Sequence, residues 1–552
     1  MIPLLGAPPR IDSVFPVGGQ RGTTVQAEIR GMGLKGAYEL WFAGTGVRAK
    51  VINVAPERAT DPEAKPDPKK KPMDLLRVEL TLDGALEGPY REFRVLTAGG
   101  VSNALRLYIH AEKAQMEAGT PHDLAKEAQR VEAPVTVHGR ISAVGEVDYY
   151  SFRVRAGEEL WFQTRSSAAL DPGLGIYKLT GSWFDPERAT RLAYSDEPVA
   201  YPGLTTEASL HYRFEEAGEY LVRVNGFWGH GGPGQNYALA ITREAPEQDR
   251  EEEPEEWNER RWTRRLTPDR MSRLWSRALT RQAEPIPVID ADAEPREAPV
   301  KPVRITPPAL VVGAIERPGD VDRVLFGVKE GDRLAFEVET PEKTLPLMNP
   351  LLRVVDGDGV EALTNILSAV NSNGNVSKQI HPKTVYSFPR EGEFTMEIRD
   401  ITASYGDRGM KYAVLVRPQV PHMGAVEVAA DSLNLVAGKA DKLSVVTDQE
   451  EGFDGYVVLT MEGLPEGVRA VTATEVEPDT PPSTSISKRE RFVAKNQKAT
   501  LLLIADAGAP PTRTPAMGRV YAQPVVKGEL GSRFLVKEIP VMVVSDAVKE
   551  TL

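Results

Sequence analysis

Seven histidines, His110, His122, His138, His211, His230, His381 and His422, are scattered through 552 residues, and no H-E-x-x-H helix joins any two. A zinc hydrolase of the usual kind is therefore not expected. There is no cysteine, which removes disulfides, thiolate metal sites and cysteine nucleophiles together. Gly100-Val101-Ser102-Asn103-Ala104 comes nearest to a nucleophile elbow. It lacks the final glycine and stands between strand-like segments, where an elbow needs a strand-to-helix turn. A hairpin turn, with Ser102 and Asn103 bonding the backbone, explains it better.

The acidic residues are the metal-ligand candidates, and calcium is the ion they would take: Asp148, Asp322, Asp356 and Asp358. Asp356-Gly357-Asp358-Gly359-Val360-Glu361 has the look of a calcium loop, but Val360 stands where an EF-hand wants a ligand at its fifth position. An Asp-Gly hairpin turn is the favoured reading. Asp148 and Asp322 recur beside strand starts, where hydrogen bonds from loop N–H groups would account for them without a metal.

Binding chemistry is better represented than catalysis. Exposed aromatic faces on β-sandwiches stack against sugars, with amides or carboxylates bonding the hydroxyls. Trp161 points opposite to Leu160 and Phe162 by alternation; Tyr177, Trp183, Tyr201 and Trp228 fall in or near loops. The opposing reading is that these rings fill the core or contacts between domains.

Positioning these residues requires a repeated framework. Gly139-Arg140-Ile141, Gly145-Glu146-Val147-Asp148, Phe152, Val154, Gly157 and Leu160-Trp161-Phe162 recur as Gly313-Ala314-Ile315, Gly319-Asp320-Val321-Asp322, Phe326, Val328, Gly331 and Leu334-Ala335-Phe336. Phe214, Gly218-Glu219-Tyr220 and Tyr237-Ala238 return as Phe388, Gly392-Glu393-Phe394 and Tyr412-Ala413. Apolar residues alternate within each copy, as half-buried antiparallel strands do. Copy two has Ala335 and Thr402 in place of Trp161 and Trp228, so the first copy is the better candidate for a ligand.

This combined motif resembles the bacterial pre-peptidase C-terminal domain over roughly 130–243 and 305–417. The resemblance implies a non-catalytic jelly-roll-like module that binds polysaccharide or fibrous protein, or serves an attached catalytic domain. It also implies calcium in some members, through an acidic E-x-N-D-type segment. Here that segment reads Glu117-Ala118-Gly119-Thr120-Pro121-His122-Asp123, without the asparagine. Residues 9–110, with Gly22-Thr23-Thr24-Val25, Gly31-Met32-Gly33-Leu34 and a closing Val95-Leu96-Thr97…Ser102-Asn103, resemble an IPT/TIG immunoglobulin-like domain.

A net charge of −12 disfavours nucleic acid as a partner, and no apolar run approaches the ~18 residues of a membrane span. Met1-Ile2-Pro3-Leu4-Leu5-Gly6 lacks the basic n-region of a signal peptide; export is expected from the resemblance alone. Residues 58–72 read as a Pro- and Lys-rich loop, 111–130 as a short helical connector, and 475–488 as a long exposed loop. Thr267-Pro268 starts an arginine-rich amphipathic helix that either docks on a neighbouring domain or lies on an anionic surface.

The expected fold is all-β, tandem immunoglobulin-like and jelly-roll-like β-sandwiches with a charged helical linker. The divisions are 9–110, 130–243, the linker 244–304, 305–417 and an immunoglobulin-like 418–552. The expected function is non-enzymatic binding of an extracellular polysaccharide or protein polymer, or adhesion at the cell surface. The alternatives are a scaffold for a secreted hydrolase system, a calcium-stabilised module of a larger secreted peptidase, and an enzyme with an unrecognised site.

Overall fold

The computed structural model describes residues 8–545 except 58–72, 167–169, 181–188, 196–207, 245–286, 294–302, 341–347, 371–375, 479–494 and the single positions 382, 405, 408, 452 and 454. The expected amphipathic helix and the 58–72 insertion lie outside the described residues. Among those described there is no α-helix, only 3-10 turns, and no helix long and apolar enough to cross a membrane. The strands form four two-sheet sandwiches in sequence order.

The two middle sandwiches have one topology. In the second, one sheet runs Lys113–Met116, Val135–Arg140, Asn236–Thr242, Glu159–Ser166, Ser209–Arg213. Its partner sheet runs Gln129–Arg130, Val147–Val154, Gly218–Gly226, Pro172–Leu179, Ala189–Ser195. The third repeats this order with Val288–Asp290, Ala309–Ala314, Lys411–Pro418, Arg333–Glu339, Lys383–Ser387 and Val303–Ile305, Asp322–Val328, Gly392–Asp400, Pro350–Asp356, Glu361–Thr364. Alternation does what it should: Tyr150, Phe152, Val154, Leu160 and Phe162 are buried, as are Val324, Phe326, Val328, Leu334 and Phe336. The kept phenylalanine is the hub of each core. Phe214 packs edge-on against Phe152 and Tyr220 at 5.7 and 4.7 Å, and Phe388 against Phe326 and Phe394 at 6.0 and 4.8 Å.

A tyrosine staples the two sheets of each repeat. Tyr237, in one sheet of the second sandwich, donates to Asp148 Oδ2 in the other at 2.5 Å, and its hydroxyl also meets that of Tyr150 at 2.5 Å. Tyr412 donates to Asp322 Oδ2 at 2.6 Å. A Cβ on Gly139 would lie 2.3 Å from the Tyr237 hydroxyl, and one on Gly313 2.5 Å from that of Tyr412. The recurring glycine, aspartate and tyrosine are thus one device, and the expected loop N–H partners give way to a phenol from the opposite sheet.

The stretch 111–130 is not the expected helical connector. Lys113–Met116 and Gln129–Arg130 add parallel edge strands to the two sheets, with a 3-10 turn at Ala125–Glu127 between. Gly119 and Pro121 interrupt any helix, and pairing satisfies the backbone instead. Strand Val468–Pro478 likewise takes up the start of the expected 475–488 loop.

Contacts between sandwiches do not all follow chain order. The first meets the second through Asn236 Nδ2 on the Val14 carbonyl (3.0 Å), Arg140 over Phe15 (3.6 Å to the ring centre) and facing Nε2 atoms of His110 and His138 (3.3 Å). Burial, then His110, brings His138 down to about 3. The first also meets the fourth. Arg94 forks onto Asp431 at 2.7 and 2.9 Å, Asn434 exchanges two 2.8 Å bonds with the Val101 backbone, and Leu96, Val101 and Met542 share an apolar cluster. Gly100, at φ +118, leaves room for the Asn434 amide.

The third and fourth meet over a buried ion network. Arg417 bonds Glu337 (2.9 Å through Nε) and both oxygens of Glu451 (2.5 and 2.9 Å); Lys383 reaches Glu451 at 3.1 Å, and the Val420 N–H at 2.8 Å. Burial alone would raise the Glu451 carboxyl, but the Arg417 bonds and charge, with Lys383 and Val420, hold it at about 2.

Two outcomes follow from these contacts. Gly139→Ala forces the new methyl into the Tyr237 hydroxyl and should cost about 1–3 kcal/mol by urea unfolding. At neutral pH, Glu451→Gln should destabilise the third–fourth joint by about 3–5 kcal/mol, since Arg417 loses a buried partner. A depressed carboxyl stabilises above its ordinary 4.5 and stops doing so as pH falls through about 2. The gap between wild type and variant should therefore narrow over that window. Glu337, Arg417, Lys383 and His422 are the charged or titratable groups facing it.

Candidate functional site

The acidic segment between the edge strands Lys113–Met116 and Gln129–Arg130 folds over the start of strand Val147–Val154. Its backbone is tied by the Glu117 N–H on the His138 carbonyl and the Tyr149 N–H on the His122 carbonyl, both 2.9 Å. Glu117, His122 and Asp148 each bring one ligand-type atom within 4.8 Å of the others. Glu117 Oε2 accepts the Arg140 N–H at 2.8 Å. His122 Nδ1 faces the Thr120 carbonyl at 3.1 Å, while Nε2 lies 3.5 Å from Asp148 Oδ1. Burial raises the Glu117 carboxyl and pushes Asp148 up to about 7, against the Tyr237 bond.

Sequence reasoning reached Asp148 through its recurrence and Glu117 through the resemblance. It treated His122 only as a departure, because nothing in a linear reading says that its ring turns inward. The third sandwich builds a related corner. Asp292 accepts the Ala314 N–H at 2.9 Å, as Glu117 does that of Arg140, and burial raises Asp292 to about 6. Asp322, half-buried, takes Tyr412.

Asp356 and Asp358 do not join these corners. Asp356 Oδ1 accepts the N–H groups of Asp358 and Val360 at 3.0 and 2.9 Å, and Oδ2 pairs with Arg390. Those backbone bonds, Val360 first, lower its carboxyl. This is the capped turn of the hairpin Pro350–Asp356/Glu361–Thr364, and Asp358 is exposed.

The aromatic candidates separate. Tyr177 sits within strand Pro172–Leu179, buried, its ring edge-on to Tyr149 at 6.1 Å and under Arg223; it offers no open face. Trp161 is half-buried and stacked on His211 at 4.1 Å and 13°, so one of its faces is taken. Trp228 is 83% exposed, at φ 55 in the turn Phe227–Gly229. Val144, 84% exposed, is on the adjoining loop, joined to it by Gly145 N–H on the Gly229 carbonyl (2.9 Å) and Gly232 N–H on the Ile141 carbonyl (2.8 Å). The third sandwich carries Pro318 and Thr402 in these places. Trp183 and Tyr201 lie outside the described residues.

No family model and no curated protein matches the chain. Among solved structures, it is similar to the pre-peptidase C-terminal domain of collagenase from Bacillus anthracis, at 13% identity over 23% of this chain and 100% of that one (TM-score 0.17). It is also similar to BcpA, the major pilin subunit of Bacillus cereus, at 11% identity over 38% and 69% (TM-score 0.17). A third likeness is to a surface-associated copper-binding protein of Methylomicrobium album BG8, at 8% over 24% and 98% (TM-score 0.16). Likenesses of this size carry no argument; the all-β sandwich architecture rests on the strand pairings above.

Tyr237→Phe removes the hydroxyl shared by Asp148 and Tyr150 and leaves buried polar atoms without their partner. The expected cost is about 1–3 kcal/mol in chemical denaturation.

Proposed function

We propose that the protein is a non-catalytic, exported array of β-sandwiches whose second repeat binds an extracellular polymer, a polysaccharide or a fibrous protein. The observation that carries this reading is the apolar tip formed by Trp228 and Val144. A bulky residue at positive φ is strained by about 1–3 kcal/mol, and here the strain turns a large ring outward into water. Such rings stack on the apolar face of a pyranose or on the side chains of a fibrous protein. The equivalent corner of the third repeat has Pro318 and Thr402 and no large ring, so the tip does not belong to what the fold requires.

The face carrying Trp161 supports the same assignment. In the third repeat the corresponding face is buried at Ala335 and Arg417, and Arg417 bonds Glu451 of the fourth sandwich. In the second repeat its outer end keeps the Trp161–His211 pair partly open. A second reading, a scaffold for a secreted hydrolase system, draws on the three inter-sandwich joints among the described residues, which favour a fixed spacing over independent tethered modules.

Retention on insoluble cellulose, chitin and collagen, with Trp228→Ala and Trp161→Ala beside the wild type, separates the two. Polymer binding predicts that the wild type is retained on one matrix and that Trp228→Ala weakens this by about 30-fold, the size of a hot-spot contact of ~2 kcal/mol. Trp161→Ala should weaken it less. No retention on any matrix, or full retention by both variants, overturns the polymer reading and leaves the scaffold. Release of soluble fragments from any of these matrices would overturn the non-catalytic assignment.

A further inference from the structure

His122 is 7% exposed, and its hydrogen bonds fix more than its position. Its Nδ1 faces the Thr120 carbonyl at 3.1 Å. A carbonyl only accepts, so Nδ1 carries the proton. Nε2 is then a lone pair in the neutral ring, it has no hydrogen-bond partner, and it faces Asp148 Oδ1 at 3.5 Å. Two lone pairs at that distance in a buried corner repel unless a proton or a metal ion lies between them. Asp148 Oδ2 is occupied by the Tyr237 hydroxyl at 2.5 Å, which leaves Oδ1 as the oxygen turned to the histidine. Glu117 completes the corner, with all three donors within 4.8 Å.

Calcium, which the family resemblance implies for this segment, does not fit this set. It takes six to eight oxygens at roughly 2.3–2.6 Å, whereas here one of the three donors is an imidazole nitrogen. Imidazole with two carboxylates suits zinc and its first-row neighbours. Bonds of ~2.1 Å place donors about 3.4 Å apart in a four-coordinate site, so a small inward turn of the carboxylates closes the set. A backbone carbonyl on Nδ1 and a phenol on the second carboxylate oxygen are the outer contacts that orient metal ligands. The third repeat keeps the two acidic positions as Asp292 and Asp322, but the sequence holds no histidine between His230 and His381.

We infer that Glu117, His122 and Asp148 form a binding site for a first-row divalent transition ion, of which zinc is the representative. Glu117 and His122 lie on the loop between the edge strands Lys113–Met116 and Gln129–Arg130, and Asp148 in the core of the same sandwich. The ion therefore pins that loop to the core.

The test is calorimetric titration and thermal unfolding of the full chain, stripped with chelator, against zinc, manganese and calcium chlorides. One zinc ion should bind at this site and raise the Tm, with calcium at least 100-fold weaker. His122→Ala and His122→Asn should each weaken zinc by 100-fold or more, beyond the ~10–100-fold typical for losing an outer partner. The asparagine variant keeps much of the side-chain volume, and circular dichroism checks that both fold. Calcium binding more tightly than zinc, zinc affinity unchanged in both variants, or no metal binding at all would overturn the site. The last result would leave His122 and Asp148 as a proton-bridged pair.

Discussion

Each middle sandwich hangs on one buried hydrogen bond, from a tyrosine in one sheet to the carboxylate at a strand start in the other. A carboxylate inside a protein is costly unless it is paired, and the phenol supplies the partner while binding the two sheets together. The glycine opposite is small because the hydroxyl occupies the space a Cβ would need. Gly139, Asp148 and Tyr237, with Gly313, Asp322 and Tyr412, therefore persist together while the residues between them change. In the second sandwich the same bond also turns one Asp148 oxygen toward His122, so the structural device and the candidate metal corner share an atom group.

The two repeats use equivalent surfaces differently. Ala335 and Arg417 lie under the fourth sandwich, and a tryptophan at Ala335 would have no room there. Trp161 and Thr242 occupy those places in the second sandwich, where the first sandwich docks closer to His138 and Asn236. A substitution that looked like loss of a ligand platform is thus also explained by a protein–protein contact. Among the described residues the contacts given above link second to first, first to fourth and fourth to third, although the chain runs first to fourth.

Much of the framework was legible in the sequence because strand burial has a period of two. Tyr150, Phe152 and Val154 declare one face without reference to anything distant. Recurrence singled out Asp148 and Asp322, but their partners are 89 and 90 residues away, and no local pattern joins them. Residues 111–130 looked helical from their Ala and Glu content; edge pairing and Gly119 with Pro121 outweigh that preference. The Asp356 turn followed from local chemistry and was readable. The Arg417 network was not, since a buried ion cluster leaves no periodic trace in the chain.

The contact between the first and fourth sandwiches has a consequence for biosynthesis. Val101 waits for Asn434, 333 residues further on, so at ~5–20 residues per second the first sandwich leaves the ribosome tens of seconds before its partner exists. During that interval Leu96 and Val101 face the solvent, and the sheet beside them lacks its cover. The nascent chain must keep this surface from foreign strands until its own fourth sandwich arrives. Productive folding of this protein is thus a question of timing as well as of stability.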